Sequence, residues 1–521
     1  MALATRPPLA VLSAVLLLAA GCTDAGDGPE REDPPGVEDL EIGPAGWQAC
    51  PEVPAEVLGD LVSPGYVGQL TEGVAYECAT VAVPQDWSDP HGPTFEIALL
   101  RARIDDQRDR IGSLLVNPGG PGASGVDTAV YLSVGGGPDN MREVLTRFDV
   151  VGFDPRGVAR STPLECFSAD DLDASFAADP DPATTAELED ALAISERMAE
   201  ACEQKYGAET LGLFSTHQAA RDMDAIREAV GDEQLTYLGF SYGSLLGAVY
   251  AQLFPDNIRA MVLDGAVDPT RDRLDRSRGQ AEGFEQAFDN FSDWCDDSPL
   301  ECPLDNARAA VTASLEEARA SPAIGLDGRE ATAGWVFYGV LYALYSEGTR
   351  EALAAAIDQL AGGDPTGVFD LADAYVNRSA DGEYSNLWEA NTAVSCADRT
   401  DGAMSVAEVR ELQEQWRDEM PLFGGPAALG GLGCVHWPAE PDPYPTGPAD
   451  GAPPIVVVGT TGDPATPYES TQRWADMLGV GVVVTYDGEG HTAYPESDCV
   501  AGNVNAYLVD LDVPEDGITC D

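Results

Sequence analysis

The sequence predicts an α/β fold: a mostly parallel central sheet, helices on both of its faces, and a helical cap inserted in the second half of the chain. Three observations carry that reading. Short apolar runs alternate with segments of helical periodicity. The runs open at their carboxyl ends into polar or glycine-rich loops. Between about residues 270 and 391 only helical patterns remain, and after that the alternation resumes. A parallel sheet built this way gathers its chemistry along one edge, so the residues at strand ends are the ones to weigh.

The chain starts with Arg6 ahead of an apolar run from Leu9 to Ala20 that ends in small residues. Residues 1–21 read as an export signal, too short for a convincing membrane span. The stretch "LLLAAGC" is similar to a bacterial lipoprotein signal, in which Cys22 is lipidated and becomes the first mature residue. Ala19 stands where such signals usually carry leucine, so ordinary secretory cleavage nearby stays open. Residues 22–46 are rich in acids, prolines and glycines, and are expected to form a flexible tether.

Residues 47–269 hold the first part of the sheet. "YECATVAVPQDW" and "TFEIALLRARI" are two strands joined by a turn around "SDPHGP". A strand from Ile111 to Val116 opens into the glycine-rich "NPGGPGASG", and a second from Phe148 to Phe153 opens into "DPRGVARS". The helical "HQAARDMDAIREAVG" leads to a strand at Leu235–Leu238, and "IRAMVLDGAVDP" gives another strand with a polar exit. Residues 270–391 form the cap, with "AEGFEQAFDNFSDWC" and "GWVFYGVLYALYS" as helices and no convincing strand. Residues 392–521 complete the sheet through "APPIVVVGTTGDPATP" and "GVVVTYDGEGHTAY", each followed by a helix.

Composition narrows the function. Lys and Arg number 28 against 90 Asp and Glu, a net charge of −62, which excludes nucleic acid as a partner because phosphate would be repelled. Spread through loops and exposed positions, these acids read as a solvated, salt-tolerant surface. Of 11 cysteines, Cys22 set aside, an even number remains in an exported chain. Short loop closure suggests the neighbour pairs Cys50 with Cys78, Cys166 with Cys202, Cys295 with Cys302, Cys396 with Cys434, and Cys499 with Cys520. No histidine stands at zinc-finger spacing, so a metal site is the weaker reading of these thiols.

The chemistry centres on Gly239-Phe240-Ser241-Tyr242-Gly243, where a strand pattern turns into a helical one. A strand before and a helix after hold a serine hydroxyl clear of the sheet, and the flanking glycines leave the backbone room for the turn. Ser241 is thus the candidate nucleophile, with the Tyr242 N–H at the helix start as one oxyanion donor. A second donor should come from "NPGGPGASG", Gly120 first and Gly119 next. Of four histidines, His491 follows an apolar strand and can reach the sheet edge as the base; His91, His217 and His436 are more simply surface or capping residues. Asp463, after the preceding strand, can orient the imidazole, with Asp154 and Asp264 as the other strand-end acids. The order Ser241, Asp463, His491 is that of the α/β-hydrolase fold.

With these residues assembled, the chain from about Trp47 onward resembles the secreted tripeptidyl aminopeptidases of actinobacteria, relatives of the prolyl iminopeptidases. The resemblance rests on "NPGGPGASG", "VGFDPRGVARS", "LTYLGFSYGSLLGAVYAQLFP", "MVLDGAVDP", "AVSCADR" and "PIVVVGTTGDPATPY". Asn117 and Pro118 open the glycine loop where the iminopeptidases have histidine, so oxyanion details do not transfer from them. The resemblance implies release of tripeptides from free N-termini by an acyl-enzyme route, without metal or organic cofactor, under a helical cap. The partners expected are peptides with a free N-terminus, and a membrane only through the lipid anchor. The cap offers Glu347, Asp373, Asp381 and Glu383 with Trp335, Tyr338, Tyr342 and Trp388 as material for an ammonium site and a blocking wall, none singled out. A carboxylesterase with the same triad is the rival reading, and a non-catalytic peptide-binding lipoprotein is a remote one.

Overall fold

The computed structural model describes residues 40–59, 64–105, 107–134, 141–400, 402, 404–494 and 496–521. The export signal and Cys22 lie outside the described residues, as does most of the tether.

The sheet strands are β1 (Gln48–Ala49), β2 (Val74–Pro84), β3 (Thr94–Ile104), β4 (Gly112–Asn117), β5 (Phe148–Phe153), β6 (Leu235–Phe240) and β7 (Ile258–Asp264). A two-stranded hairpin, β8 (Ala323–Ile324) with β9 (Glu330–Ala331), stands apart in the helical region, where no strand was expected; β10 (Ile455–Gly462), β11 (Gly481–Glu489) and β12 (Ile518–Cys520) complete the sheet. Its order is β1-β2-β3-β5-β4-β6-β7-β10-β11-β12. Pairing is antiparallel from β1 through β3 to β5 and parallel from there to β12.

Every residue of β4, β5 and β6 is buried, as strands covered on both faces must be. Alternate side chains enter two cores. Leu115, Val151, Tyr237, Leu263 and Val457 meet the helices Thr216–Val230, Tyr242–Leu253 and Glu469–Leu478. Leu114, Val116, Val150, Leu238, Val262 and Val456 meet Gly125–Ser133 and Asp498–Asp510. This period-two division is why unbroken apolar runs in the sequence become central strands.

The helical layer is wider than residues 270–391. Phe284, Phe288, Phe291, Val336, Phe337 and Leu353 share one apolar cluster with Trp416, Met420 and Phe423, so helices Val406–Glu419 and Gly424–Ala428 belong to it. Helix Ala169–Ala177 joins through Leu172 and Phe176 against Trp335 and Phe369. Ion pairs Arg319–Asp179 and Arg417–Asp181 tie the three chain segments together. The tether boundary also shifts: Leu40, Ile42 and Ala45 pack on the first core, and the Ala45 N–H donates to the Ala229 carbonyl at 2.8 Å, so residues 40–46 are not loose.

All five neighbouring cysteine pairs are disulfide-bonded, as suits a chain that folds in an oxidising compartment. Among the described residues no helix is long and apolar enough to cross a membrane.

Candidate active site

Ser241 occupies the turn between β6 and the helix Tyr242–Leu253 with φ 54° and ψ −124°, a conformation that costs a non-glycine residue about 1–3 kcal/mol. The surroundings hold it there. Its N–H donates to the Asp264 carbonyl at 2.8 Å, and its carbonyl accepts from the Ser244 N–H at 2.8 Å and the Ser244 hydroxyl at 2.6 Å. On the far side Tyr237 Oη donates to the Gly243 carbonyl, and Tyr242 Oη pairs with Thr216 Oγ1. Such a strained turn between a strand and a helix is the setting in which a nucleophile elbow holds its serine.

After β11, three strands from β6, His491 Nδ1 lies 2.9 Å from both Oδ1 and Oδ2 of Asp463, which follows the intervening β10. Asp463 is almost fully buried, and its oxygens also accept from the Ala465 and Thr466 N–H groups, the Thr466 hydroxyl and the Thr492 N–H. Asp463 is thus held by four protein donors besides the imidazole. Burial opposes protonation of His491, but the Asp463 charge and its hydrogen bond, with Asp264 behind, outweigh it and raise the imidazole above its usual value. Nδ1 being taken, Nε2 is the nitrogen left for a serine proton. The Ser241 hydroxyl has no hydrogen-bond partner among the described residues. Its neighbourhood to His491 runs through Asp264 and Gly265: the Asp264 carbonyl holds Ser241, and a Cβ on Gly265 would stand 3.3 Å from His491 Cε1.

Asp264 is not the imidazole's partner. Its carboxylate accepts from the Ala493 and Tyr494 N–H groups at 2.8–3.1 Å and so anchors the loop that carries His491. Asp154 binds the Ser124 hydroxyl and the Val126 and Arg160 N–H groups, joining the glycine loop to the loop after β5. His217 Nδ1 lies 3.4 Å from Asp442, on the helix opened by the Ser215 cap, away from this cluster.

The glycine loop divides its duties. The Gly119 N–H already donates to Asn117 Oδ1 at 3.0 Å, so Gly119 is not an open oxyanion donor as the sequence suggested. It serves by closeness: with φ +96°, a Cβ there would stand 2.6 Å from the Phe240 carbonyl oxygen and 2.7 Å from the Tyr242 nitrogen. Tyr242 is the first residue of its helix, so its N–H has no acceptor within the helix. Gly122 abuts the helix Leu387–Ala397, where a Cβ would stand 2.4 Å from the Leu387 carbonyl oxygen, and Asn391 Nδ2 donates to the Pro121 carbonyl at 3.0 Å.

Gly120 lines two cavities. The smaller, about 230 Å³, contains Ser241, Tyr242, Thr466, Arg276 and Asp398. The larger, about 570 Å³, is walled by Phe284, Phe337, Tyr342, Tyr345, Tyr375, Trp388 and Phe423, with no charged side chain in its lining. Of the cap residues singled out in the sequence, Tyr342 and Trp388 reach it. Glu347 instead pairs with Arg350, Asp373 takes the Arg329 guanidinium in two bonds of 2.7 Å, and Asp381 and Glu383 are exposed. Trp335 and Tyr338 are absorbed in packing. Sequence reasoning missed Thr466, which buttresses Asp463, and Tyr345, whose carbonyl accepts from the His491 N–H at 2.8 Å. The "DPAT" after β10 carried a signal for Thr466, as an aspartate followed by a hydroxyl residue at a turn; nothing local marked Tyr345.

Comparison with known proteins identifies the family. The family described as alpha/beta hydrolase fold matches residues 112–319, and the family described as TAP-like protein matches residues 420–520. Serine protease Hip1 of Mycobacterium tuberculosis is 36% identical, over 98% of this chain and 96% of its own. Carboxylesterase B of the same species is 35% identical over 91% and 89%. Tripeptidyl aminopeptidase of Streptomyces lividans is 30% identical over 85% and 83%. With near-complete coverage on both sides, a parallel sheet of this order and the TAP-like region supplying the segment that contains Asp463 and His491, the chain belongs to the tripeptidyl aminopeptidase family of α/β-hydrolase serine enzymes.

Proposed function

We propose that the protein is an exported, lipid-anchored serine exopeptidase that releases short peptides, chiefly tripeptides, from free N-termini. The observation that carries this reading is the Asp463–His491 pair, braced by buried donors, together with a strained serine lining the smaller of two cavities that share Gly120. Ser241 Oγ attacks the scissile carbonyl while His491 Nε2 takes its proton, a contact that closes as substrate binds. Asp463 keeps the proton on Nδ1 and stabilises the imidazolium. The N–H groups of Tyr242 and Gly120 hold the oxyanion. His491 then protonates the leaving amine, and water, deprotonated by the same imidazole, releases the peptide acid from Ser241. The anchor is a lipid on Cys22, detectable by mass spectrometry of the mature N-terminus.

A carboxylesterase is the second reading, and the uncharged aromatic wall of the larger cavity favours it, since an apolar acyl group fits there without a counter-ion. One panel separates the two: a chromogenic tripeptide amide with a free amine, the same amide N-acetylated, and a short-chain p-nitrophenyl ester. Cleavage of the free-amine amide alone supports the exopeptidase. Equal cleavage of the acetylated amide means an endopeptidase, and turnover of the ester alone means an esterase.

A further inference from the structure

The loop that carries His491 is gripped from the cap as well as from the sheet. The His491 N–H donates to the Tyr345 carbonyl at 2.8 Å. The Tyr345 ring meets the imidazole edge to face, centroids 5.3 Å apart at 83°. One turn further along the cap, Arg350 forms an ion pair with Glu489, two residues before the histidine. The ring of Tyr345 also packs against Phe284 at 5.4 Å and Tyr375 at 6.1 Å, and all three line the larger cavity. One side chain therefore touches both the candidate base and the wall that substrate would contact.

We propose that Tyr345 is a positioning residue through which the cap sets the orientation of His491, so that an apolar substrate group filling the aromatic cavity bears on the ring that supports the base. The inference rests on His491 being the base, but not on whether the substrate is an amide or an ester. The physical basis is directional. Asp463 fixes the imidazole through Nδ1 only, which leaves rotation about that contact to be restrained by what lies against the ring face and edge, and Tyr345 supplies that restraint. An edge-to-face aromatic contact is strong enough to bias such a rotation and weak enough to respond to packing on its other side.

The test uses a reagent too small to need the cavity. Diisopropyl fluorophosphate phosphorylates an activated serine: Ser241 Oγ bonds to phosphorus, fluoride leaves, and His491 takes the hydroxyl proton. Loss of the ring in folded Tyr345→Ala should slow labelling about two- to tenfold, while Tyr345→Phe labels at the wild-type rate. Should Y345A fail to fold, Tyr345→Leu keeps the volume and carries the same expectation. Labelling of both Y345A and Y345L at the wild-type rate overturns the proposal. A second fluorophosphonate bearing a phenylalkyl arm probes the coupling. Its rate advantage over the small reagent should shrink in Y345L, and an unchanged advantage overturns that part. Because labelling needs no peptide, a failure of the exopeptidase reading in the substrate panel leaves this result intact, whereas a wild-type Ser241 that does not label at all removes the catalytic assignment itself.

Discussion

Replacing Gly119 with alanine tests the architecture of the oxyanion site without touching a reacting group. Two costs follow from the structure. A side chain at φ +96° is strained by about 1–3 kcal/mol, which should appear as a lowered melting temperature. The added Cβ would also stand 2.6 Å from the Phe240 carbonyl oxygen and 2.7 Å from the Tyr242 nitrogen, about 0.8 Å inside ordinary van der Waals contact. Both atoms are backbone of the serine turn, so relief requires the loop and the turn to separate. That separation moves the Tyr242 N–H away from the Gly120 N–H. A displacement near 1 Å costs on the order of 10² in rate, and full loss of one oxyanion donor 10²–10³. G119A should therefore lose about 10²–10³ in kcat on the best substrate of the panel, with little change in KM. The companion Gly122→Ala pushes instead on the Leu387 carbonyl of the cap, and should disturb substrate affinity more than turnover. A folded G119A with kcat within about threefold of wild type would refute the reasoning.

Three further outcomes are expected. The base must be neutral to accept a proton, so activity falls as pH drops through the raised His491 value, and the acid limb of kcat/KM should lie above the ordinary imidazole value of 6.5. Asp463→Asn removes the charge that outweighs burial, so the limb should move down while kcat falls by a factor on the order of 10⁴; an unmoved limb would contradict the assignment. Asp264 is pushed up to about 7, mainly by burial, against the Tyr494 and Ala493 N–H groups and His491, which favour its charged form. Folding therefore takes up a proton here, and this group's stabilising contribution is whole below its unfolded value of 3.8 and lost as pH rises through about 7. Asp264→Asn should flatten the fall of melting temperature between those pH values, and parallel curves for variant and wild type would count against it. With a net charge of −62, salt at about 1 M screens self-repulsion more than it weakens the buried Asp463–His491 pair. Most of the activity should survive there, and a sharp loss would show that exposed ion pairs hold the site together.

The parts of this site that sequence made legible share one property: their signal is local. A strand, a glycine turn and a helix surround Ser241 within a few residues, and the apolar runs before Asp463 and His491 place those residues at strand ends whatever else the chain does. What escaped depends on contacts between distant segments. Tyr345 meets His491 only because the cap folds back over the sheet, and its surroundings, "LYALYSEG", read as one more amphipathic helix end. The cap's true extent was hidden for the same reason. Trp416 and Phe423 follow the presumed end of the cap by some thirty residues, and only their common cluster with Phe284 and Phe337 assigns them to it. Gly119 shows the converse: the glycine run marked the right loop, but which N–H stays open turned on the Asn117 side chain two residues earlier, a contact that no spacing rule encodes.

How a substrate ammonium would be held follows from what the cavity walls lack. Of the cap acids singled out in the sequence, Glu347 and Asp373 are paired with arginine and Asp381 and Glu383 are exposed, so the abundance of carboxylates in the chain does not translate into charge in the lining of the larger cavity. Among the described residues, the one carboxylate lining either cavity is Asp398, which accepts from the Thr216 N–H at 2.8 Å and the Thr216 hydroxyl at 2.5 Å, is pushed up to about 7 by burial, and shares its cavity with Arg273 and Arg276. An ammonium brought beside it would restore the charge that burial suppresses, each group raising the other's charged fraction. In the larger cavity the same ammonium would find ring faces, an attraction of about 0.5–2 kcal/mol, and the uncharged polar side chains of Ser277, Gln280 and Asn391, against the loss of its hydration. The two cavities thus divide the recognition problem: the aromatic one suits apolar side chains, and a free N-terminus is favoured only if it reaches Asp398. An exopeptidase working here should therefore become less selective for free amines in Asp398→Asn while keeping its preference for apolar residues, whereas an esterase should lose neither.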